Sequence, residues 1–172
     1  SKEKNENDME IMNFIYCSLS GLCFCFLISI FQPFMKLWVG EEYLFNDAIM
    51  LLIGFYFLVD KMENIIGIYY DAAGMWWKGK YKGLLEAGVN LILNIILGYY
   101  FGVIGILFAT IVSMLFVAIP LSAHYMYKYY FEKDLRPFII HQIIFLAAYT
   151  AIGMICYYVC SIIPFGNDIT TI

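Results

Sequence analysis

The sequence predicts an all-α integral membrane chain of five transmembrane helices. Three observations carry that prediction: the composition, the lengths of the uncharged apolar runs, and the uneven distribution of Lys and Arg between the segments that join them. Of 172 residues, 63% are hydrophobic and 14% charged, and the mean hydropathy is +0.77. Too little polar surface exists to coat a soluble globule of this size, so lipid is the expected solvent. The net charge of -4 provides no general basic surface, which argues against nucleic acid as a partner.

Crossing the hydrocarbon core takes roughly 20 helical residues, because every backbone polar group must be paired within the segment. Five segments qualify. The first, 11–31, is uncharged and bounded by Gln32 and Pro33. The second, 48–70, is interrupted in its second half by Asp60, Lys61 and Glu63. From Ala87 to Ala123 there is no charge, a length excessive for one helix at ordinary tilt but right for two. Gly98, Gly102 and Gly105 place the break, giving 83–97 and 103–123, with Pro120 expected to kink or end the latter. The fifth, 138–163, opens behind Pro137 and closes at Pro164.

Short loops rich in Lys and Arg stay in the cytoplasm. With the N-terminus inside, the inner segments hold Lys2, Lys4, Lys78, Lys80, Lys82, Lys128, Lys133 and Arg136, against Lys36 alone outside. Five crossings then leave the C-terminus outside. Trp38 and Tyr43 fall in an outer loop, while Tyr69, Tyr70, Trp76, Trp77, Tyr81 and the tyrosines at 125–130 flank inner ones, as interfacial anchors should. A sugar-stacking platform is the less economical reading of Trp76 and Trp77. The five cysteines lie in apolar runs and read as small packing residues, neither disulfides nor metal ligands.

Charges inside hydrocarbon are costly and usually face a cavity or a partner helix. At 100° per residue, Asp60, Glu63, Asn64, Gly67 and Asp71 share one arc of the second helix. Glu86, Asn90 and Asn94, spaced by four, form a second row on the third helix. Both rows enter from the cytoplasmic side. A water-filled cavity is the preferred reading for Asp60, Asn90 and Asn94, whereas Asp71 and Glu86 fit a helix end in water equally well. Lys78, Lys80 and Lys82 make an alternating basic row whose first reading is topology and head-group contact, with a specific anion site as the alternative. No cofactor site, metal site or catalytic constellation emerges: His124 and His141 stand alone, and no Gly-rich phosphate loop occurs.

The run Asp71-Ala72-Ala73-Gly74, the aromatic and basic loop Trp76-Trp77-Lys78-Gly79-Lys80-Tyr81-Lys82, and Glu86-Ala87-Gly88-Val89-Asn90-Leu91 resemble polysaccharide-export flippases of the bacterial Wzx type. Phe101-Gly102-Val103-Ile104-Gly105 with Ala109-Thr110, and Pro33-Phe34 with Leu37-Trp38-Val39-Gly40 and Tyr43-Leu44, extend the resemblance over most of the chain. It departs from the pattern at Gly83, where proline is often expected, and at Lys80 and Lys82, where arginine is common.

The resemblance implies a two-lobe transporter of the superfamily that also holds multidrug exporters of the MATE type. This chain would be most of its C-terminal lobe, lacking the N-terminal lobe and at least one later helix. It implies a bacterial inner-membrane protein, not an enzyme, that moves undecaprenyl-pyrophosphate-linked oligosaccharide to the outer leaflet. Membrane lipids and polysaccharide-assembly proteins are the implied partners. Glu86, Asn90, Asn94, Asp60 and Asn64 are then candidates for the sugar path, Lys78, Lys80 and Lys82 for the pyrophosphate, and Asp60 and Glu63 for a coupling ion. A membrane-embedded glycan polymerase or acyltransferase is the alternative from another class, and a multidrug or lipid exporter of the same architecture is the nearer one.

Overall fold

The computed structural model describes residues 2–162, and every regular element among them is helical. Helix α1 spans Lys2–Trp38, α2 Asp47–Ala72, α3 Lys82–Ser113, α4 Ile119–Met126 and α5 Arg136–Ile162. Wide π-type turns at Met114–Ala118 and Tyr127–Phe131 flank α4, so that Lys82 to Phe131 is one helical run interrupted at Gly102. The stretches Lys2–Trp38, Lys82–Phe131 and Arg136–Ile162 are long and apolar enough to cross a membrane. Helix α2 is not among these three, since Asp60, Lys61 and Glu63 break its apolar run. The last residue of the expected 138–163 segment, together with Pro164, lies outside the described residues.

Helix α1 is longer at both ends than its apolar run. At 1.5 Å per residue its 37 residues extend about 55 Å, against a hydrocarbon core of roughly 30 Å. The expected stop at Gln32 and Pro33 is corrected: both lie inside the helix, which continues to Trp38. Proline removes one backbone donor, a loss confined to a single turn. Gln32 holds that turn in place, its Nε2 donating to the Phe45 carbonyl at 2.6 Å, while Phe31 stacks on Phe45. Helix α2 then begins at a capped end, where the Asn46 side chain accepts from Ala48 N–H at 2.9 Å.

A straight run of 50 residues from Lys82 would place Phe131 about 75 Å away. Instead, the Lys78 ammonium lies 5.0 Å from the Tyr129 ring, and the rings of Tyr70 and Tyr125 are 6.4 Å apart. The run therefore folds back on itself. The reversal is at Gly102, with φ 60° and ψ -136°, a conformation that a side chain strongly disfavours. A Cβ on Gly105 would sit 1.9 Å from the Leu97 carbonyl oxygen, so the two arms touch backbone to backbone. The expected division thus occurs, with its turning point at Gly102 and the first arm running past Leu97.

The return arm does not stop near Ala123 as expected. Pro120 falls in the first turn of α4, and the π turn at Met114–Ala118 just before it shifts the hydrogen-bond register where proline offers no N–H. The arm ends only at Glu132, in the left-handed conformation, with Lys133 N–H closing onto the Tyr127 carbonyl.

Close approach at glycines sets the packing of α1 with its neighbours. Gly54 of α2 lies against Ile28 and Phe24 of α1, Gly21 of α1 against Tyr149 of α5, and Gly153 of α5 against Phe24. Small residues bring membrane helices into contact where no hydrophobic drive exists between them. Between α1 and α5, Gln142 Nε2 donates to Asn13 Oδ1 at 2.8 Å, both residues being 4% exposed. Asn13→Leu alone is expected to cost about 1 kcal/mol or more by stranding Gln142, whereas Asn13→Leu with Gln142→Leu should come back close to wild type. Unfolding in mixed micelles would show the difference.

The polar ends of the helices gather into one basic end. Lys2 pairs with Glu132 at 2.6 Å, Lys133 pairs with Glu6, and Asn5 donates to the Tyr130 hydroxyl at 2.7 Å. Glu132 is held below the ordinary glutamate range by Lys2, and Glu41 at the opposite end likewise by Lys36. A depressed carboxylate stabilises above its unfolded pKa and loses that contribution as pH falls through the depressed value. Lys36→Met is therefore expected to return the Glu41 titration, followed by carboxyl NMR shifts, upward to the ordinary range. Lys133 is raised by Glu6, so its pairing is complete below the ordinary lysine pKa and fades as pH rises through the raised one.

Candidate functional site: a charged cleft between α2 and α3

The segment 73–81 joins α2 to α3 at the basic end, and a cleft of about 470 Å³ opens there. Helix α2 supplies Glu63, Asn64 and Asp71, α3 supplies Lys82, and the connecting segment supplies Trp76 and Lys80. The α2 residues share a face because their spacing returns them to one side of the helix. Gly67, on the same face, leaves the wall open, since an added Cβ would meet nothing nearer than Glu63 Oε1 at 4.0 Å. The floor is fixed by Tyr70, whose hydroxyl donates to the Met75 carbonyl at 3.1 Å. Gly79 packs so closely on that hydroxyl that a Cβ would lie 1.8 Å from it.

Lys82 is the centre of charge. Its Nζ lies 3.6 Å from Glu63 Oε1 across the helix interface and 3.8 Å from Glu86 Oε2 one turn along α3. The Lys82 and Glu63 side chains are only 14% and 19% exposed, so this pairing is far less screened than a surface pair. The ammonium also lies 5.4 Å from the centre of the Tyr70 ring. Counting Glu63, Asp71 and Glu86 against Lys80 and Lys82, the cleft and its edge carry one net negative charge. Lys80 makes no ion pair among the described residues and rests over Trp77 and Tyr81, at 5.4 and 5.0 Å.

The three lysines of the alternating row do not converge. Lys82 and Lys80 line the cleft, whereas Lys78 turns to the Tyr129 ring of the return arm. Glu63 and Asn64 line it, and Glu86 reaches it through Lys82. Asp60 lies beyond the wall, paired with Lys61 at 2.8 Å and accepting from Asn64 Nδ2 at 3.2 Å. Asn90 and Asn94 are also off the cleft, with Asn94 Nδ2 donating to Asn90 Oδ1 at 2.6 Å. The Asn94 carbonyl oxygen is buried and has no partner among the described residues.

Tyr70 and Gly79 complete the cleft without having been singled out as site residues, together with Trp76, for which sugar stacking was the less economical reading. Their signal lay in the sequence as a dense aromatic and glycine segment between two polar stripes, which interfacial anchoring also explains. The Asn13 and Gln142 pair was legible only as two isolated polar residues in separate apolar runs. Among the described residues no three His, Cys, Asp or Glu side chains gather as metal ligands. The cleft can offer a bound polar group charge, hydrogen bonds and an aromatic face. No protein-family model, curated protein or solved structure matches this chain.

Proposed function

We propose that the chain is part of the C-terminal lobe of a MATE-like, two-lobe flippase of the bacterial inner membrane. It would cross the membrane five times, through α1, α2, the two arms of the Lys82–Phe131 run, and α5. The basic end faces the cytoplasm in this reading, because eight of the nine Lys and Arg residues outside the five apolar segments 11–31, 48–70, 83–97, 103–123 and 138–163 belong to it. The observation that carries the proposal is the cleft itself: a half-buried set of charges on two otherwise apolar helices, opening at the basic end beside an aromatic segment.

A lipid-linked oligosaccharide requires such a division of surfaces. Its sugar and pyrophosphate must be taken out of water through a polar passage while the prenyl chain stays in lipid. Lys80 meets the pyrophosphate at the mouth, Trp76 offers a face to a sugar ring, and Lys82 holds a positive charge between Glu63 and Glu86. Asn90 and Asn94 continue the polar row farther along α3 toward the opposite leaflet, and Asp60 with Glu63 are the candidates for a coupling ion. Surface-polysaccharide assembly proteins are the expected partners of the whole transporter.

The test is deletion of the full-length gene in cells whose glycosyltransferases are intact. Lipid-linked repeat units are expected to accumulate inside while surface polysaccharide falls, and the full-length gene should reverse both. Unchanged repeat-unit levels after deletion would overturn the proposal, as would accumulation of repeat units already delivered to the outer leaflet, which is the signature of a polymerase defect.

A further inference from the structure

A second cavity, of about 490 Å³, lies between α1 and α5 and shares no residue with the charged cleft. Asn7, Glu10, Asn13 and His141 contribute its polar lining, and Phe14 and Phe145 form part of its apolar wall, their rings meeting edge to face at 5.6 Å. Its volume falls within the roughly 300–1,000 Å³ of small-ligand sites. It sits at a chemical boundary, because Glu10 is the last charge on α1 before the uncharged run that begins at Ile11.

Asn13 gives this cavity a built polar floor. The residue is 4% exposed, and its Oδ1 accepts from Gln142 Nε2 at 2.8 Å and from the Cys17 thiol at 3.6 Å. Its Nδ2 makes no hydrogen bond among the described residues and is not one of their enclosed unpartnered atoms, so the donor stays open to an occupant of the cavity. Glu10, one turn nearer the helix end, supplies a carboxylate with no ion-pair partner among the described residues. Glu6, on a neighbouring turn, is by contrast satisfied by Lys133.

We propose that this cavity binds a phospholipid with a primary-amine head group. The head-group ammonium pairs with Glu10, the phosphate or ester oxygens accept from Asn13 Nδ2 and from a His141 ring N–H, and an acyl chain lies along Phe14 and Phe145. Charge selects the class. Glu10 is the one Asp, Glu, Lys or Arg side chain in the lining, so the cavity itself favours a head group that brings a cation. A quaternary ammonium has no N–H to give the carboxylate, whereas a primary one forms a charge-assisted hydrogen bond. The inference stands independently of the flippase reading, since it uses neither the cleft nor a cargo.

The experiment is native mass spectrometry of the full chain released from vesicles containing equal parts phosphatidylethanolamine, phosphatidylcholine and phosphatidylglycerol. Bound phosphatidylethanolamine is expected to exceed each of the others about tenfold, the scale of one hydrogen bond to a charged group. Glu10→Gln and His141→Ala, both at exposed positions, should each reduce that preference severalfold, and Glu41→Gln at the opposite end should leave it intact. Equal retention of the three lipids would overturn the proposal. So would an undiminished preference in both Glu10→Gln and His141→Ala, or a loss in Glu41→Gln equal to theirs.

Discussion

Gly105→Ala is expected to destabilise the folded chain by about 3 kcal/mol or more, the upper end of the cost of forcing an added group into a packed site. The new methyl would meet the Leu97 carbonyl oxygen at 1.9 Å, and a backbone oxygen in a helix cannot move aside as a side-chain tip can. The arms of the hairpin must part. Gly102→Ala should cost less, about 1–3 kcal/mol, because its penalty is the backbone conformation alone and nothing lies within 4 Å of an added Cβ. Gly98→Ala meets only the Ile106 side chain, at 3.1 Å, and should be the mildest of the three. Unfolding curves in mixed micelles check the order, and a Gly105→Ala protein no weaker than Gly98→Ala would mean that the arms do not touch at Leu97.

The second large effect is at Lys82. Lys82→Met leaves Glu63 and Glu86 facing the same half-buried space without the cation they share. Removing one partner of a fully buried pair costs about 3–5 kcal/mol and of a surface pair about 1 kcal/mol or less, so the partial exposure here places the loss near 2 kcal/mol. On the proposed flippase reading, transport by the full-length protein should fall at least about tenfold, the equivalent of 1.4 kcal/mol. Adding Glu63→Gln and Glu86→Gln to Lys82→Met separates the two consequences. Stability should return, because neither Glu63 nor Glu86 is left as an unpaired carboxylate, while on the flippase reading transport should stay low, because the Lys82 charge is still missing. Recovery of both would reduce Lys82 to a structural tie between α2 and α3.

The helices were legible where length and charge alone decide them. The uncharged 37-residue stretch from Ala87 to Ala123 demanded two arms, and Gly98, Gly102 and Gly105 marked the reversal, because only a residue without a Cβ tolerates both the φ of Gly102 and the approach at Gly105. The ends were harder to read. Pro33 and Pro120 look like stops from composition, yet each removes a single donor, and the Gln32 bond to Phe45 and the π turn before Pro120 absorb the damage.

The cleft was partly legible for a related reason. A 100° rotation puts Glu63, Asn64 and Asp71 on one face of α2 with no tertiary knowledge, and the spacing of Lys82 and Glu86 is a local helical pair. Periodicity cannot say that Asp60 will be occupied by Lys61, or that Asn90 and Asn94 will bond each other instead of the cleft. Those outcomes depend on side-chain reach and on which helix lies opposite. The Asn13 and Gln142 contact, 129 positions apart in the chain, depends wholly on α1 and α5 being neighbours.

The reversal at Gly102 also bears on how the chain is made. The link between α1 and α2 and the helix ends beside it carry Lys36, Glu41, Glu42 and Asp47, four charged groups that the proposed topology would have the nascent chain carry across the bilayer before α2 settles. The turn from Gly98 to Val103 has none, and its arms already press together through Gly105. In the proposed topology, such a pair of arms would have only backbone and apolar or aromatic side chains to translocate at its turn. In the same proposed topology the charged residues at the base of this hairpin, Lys82, Glu86 and Lys128, would stay on the side of synthesis throughout.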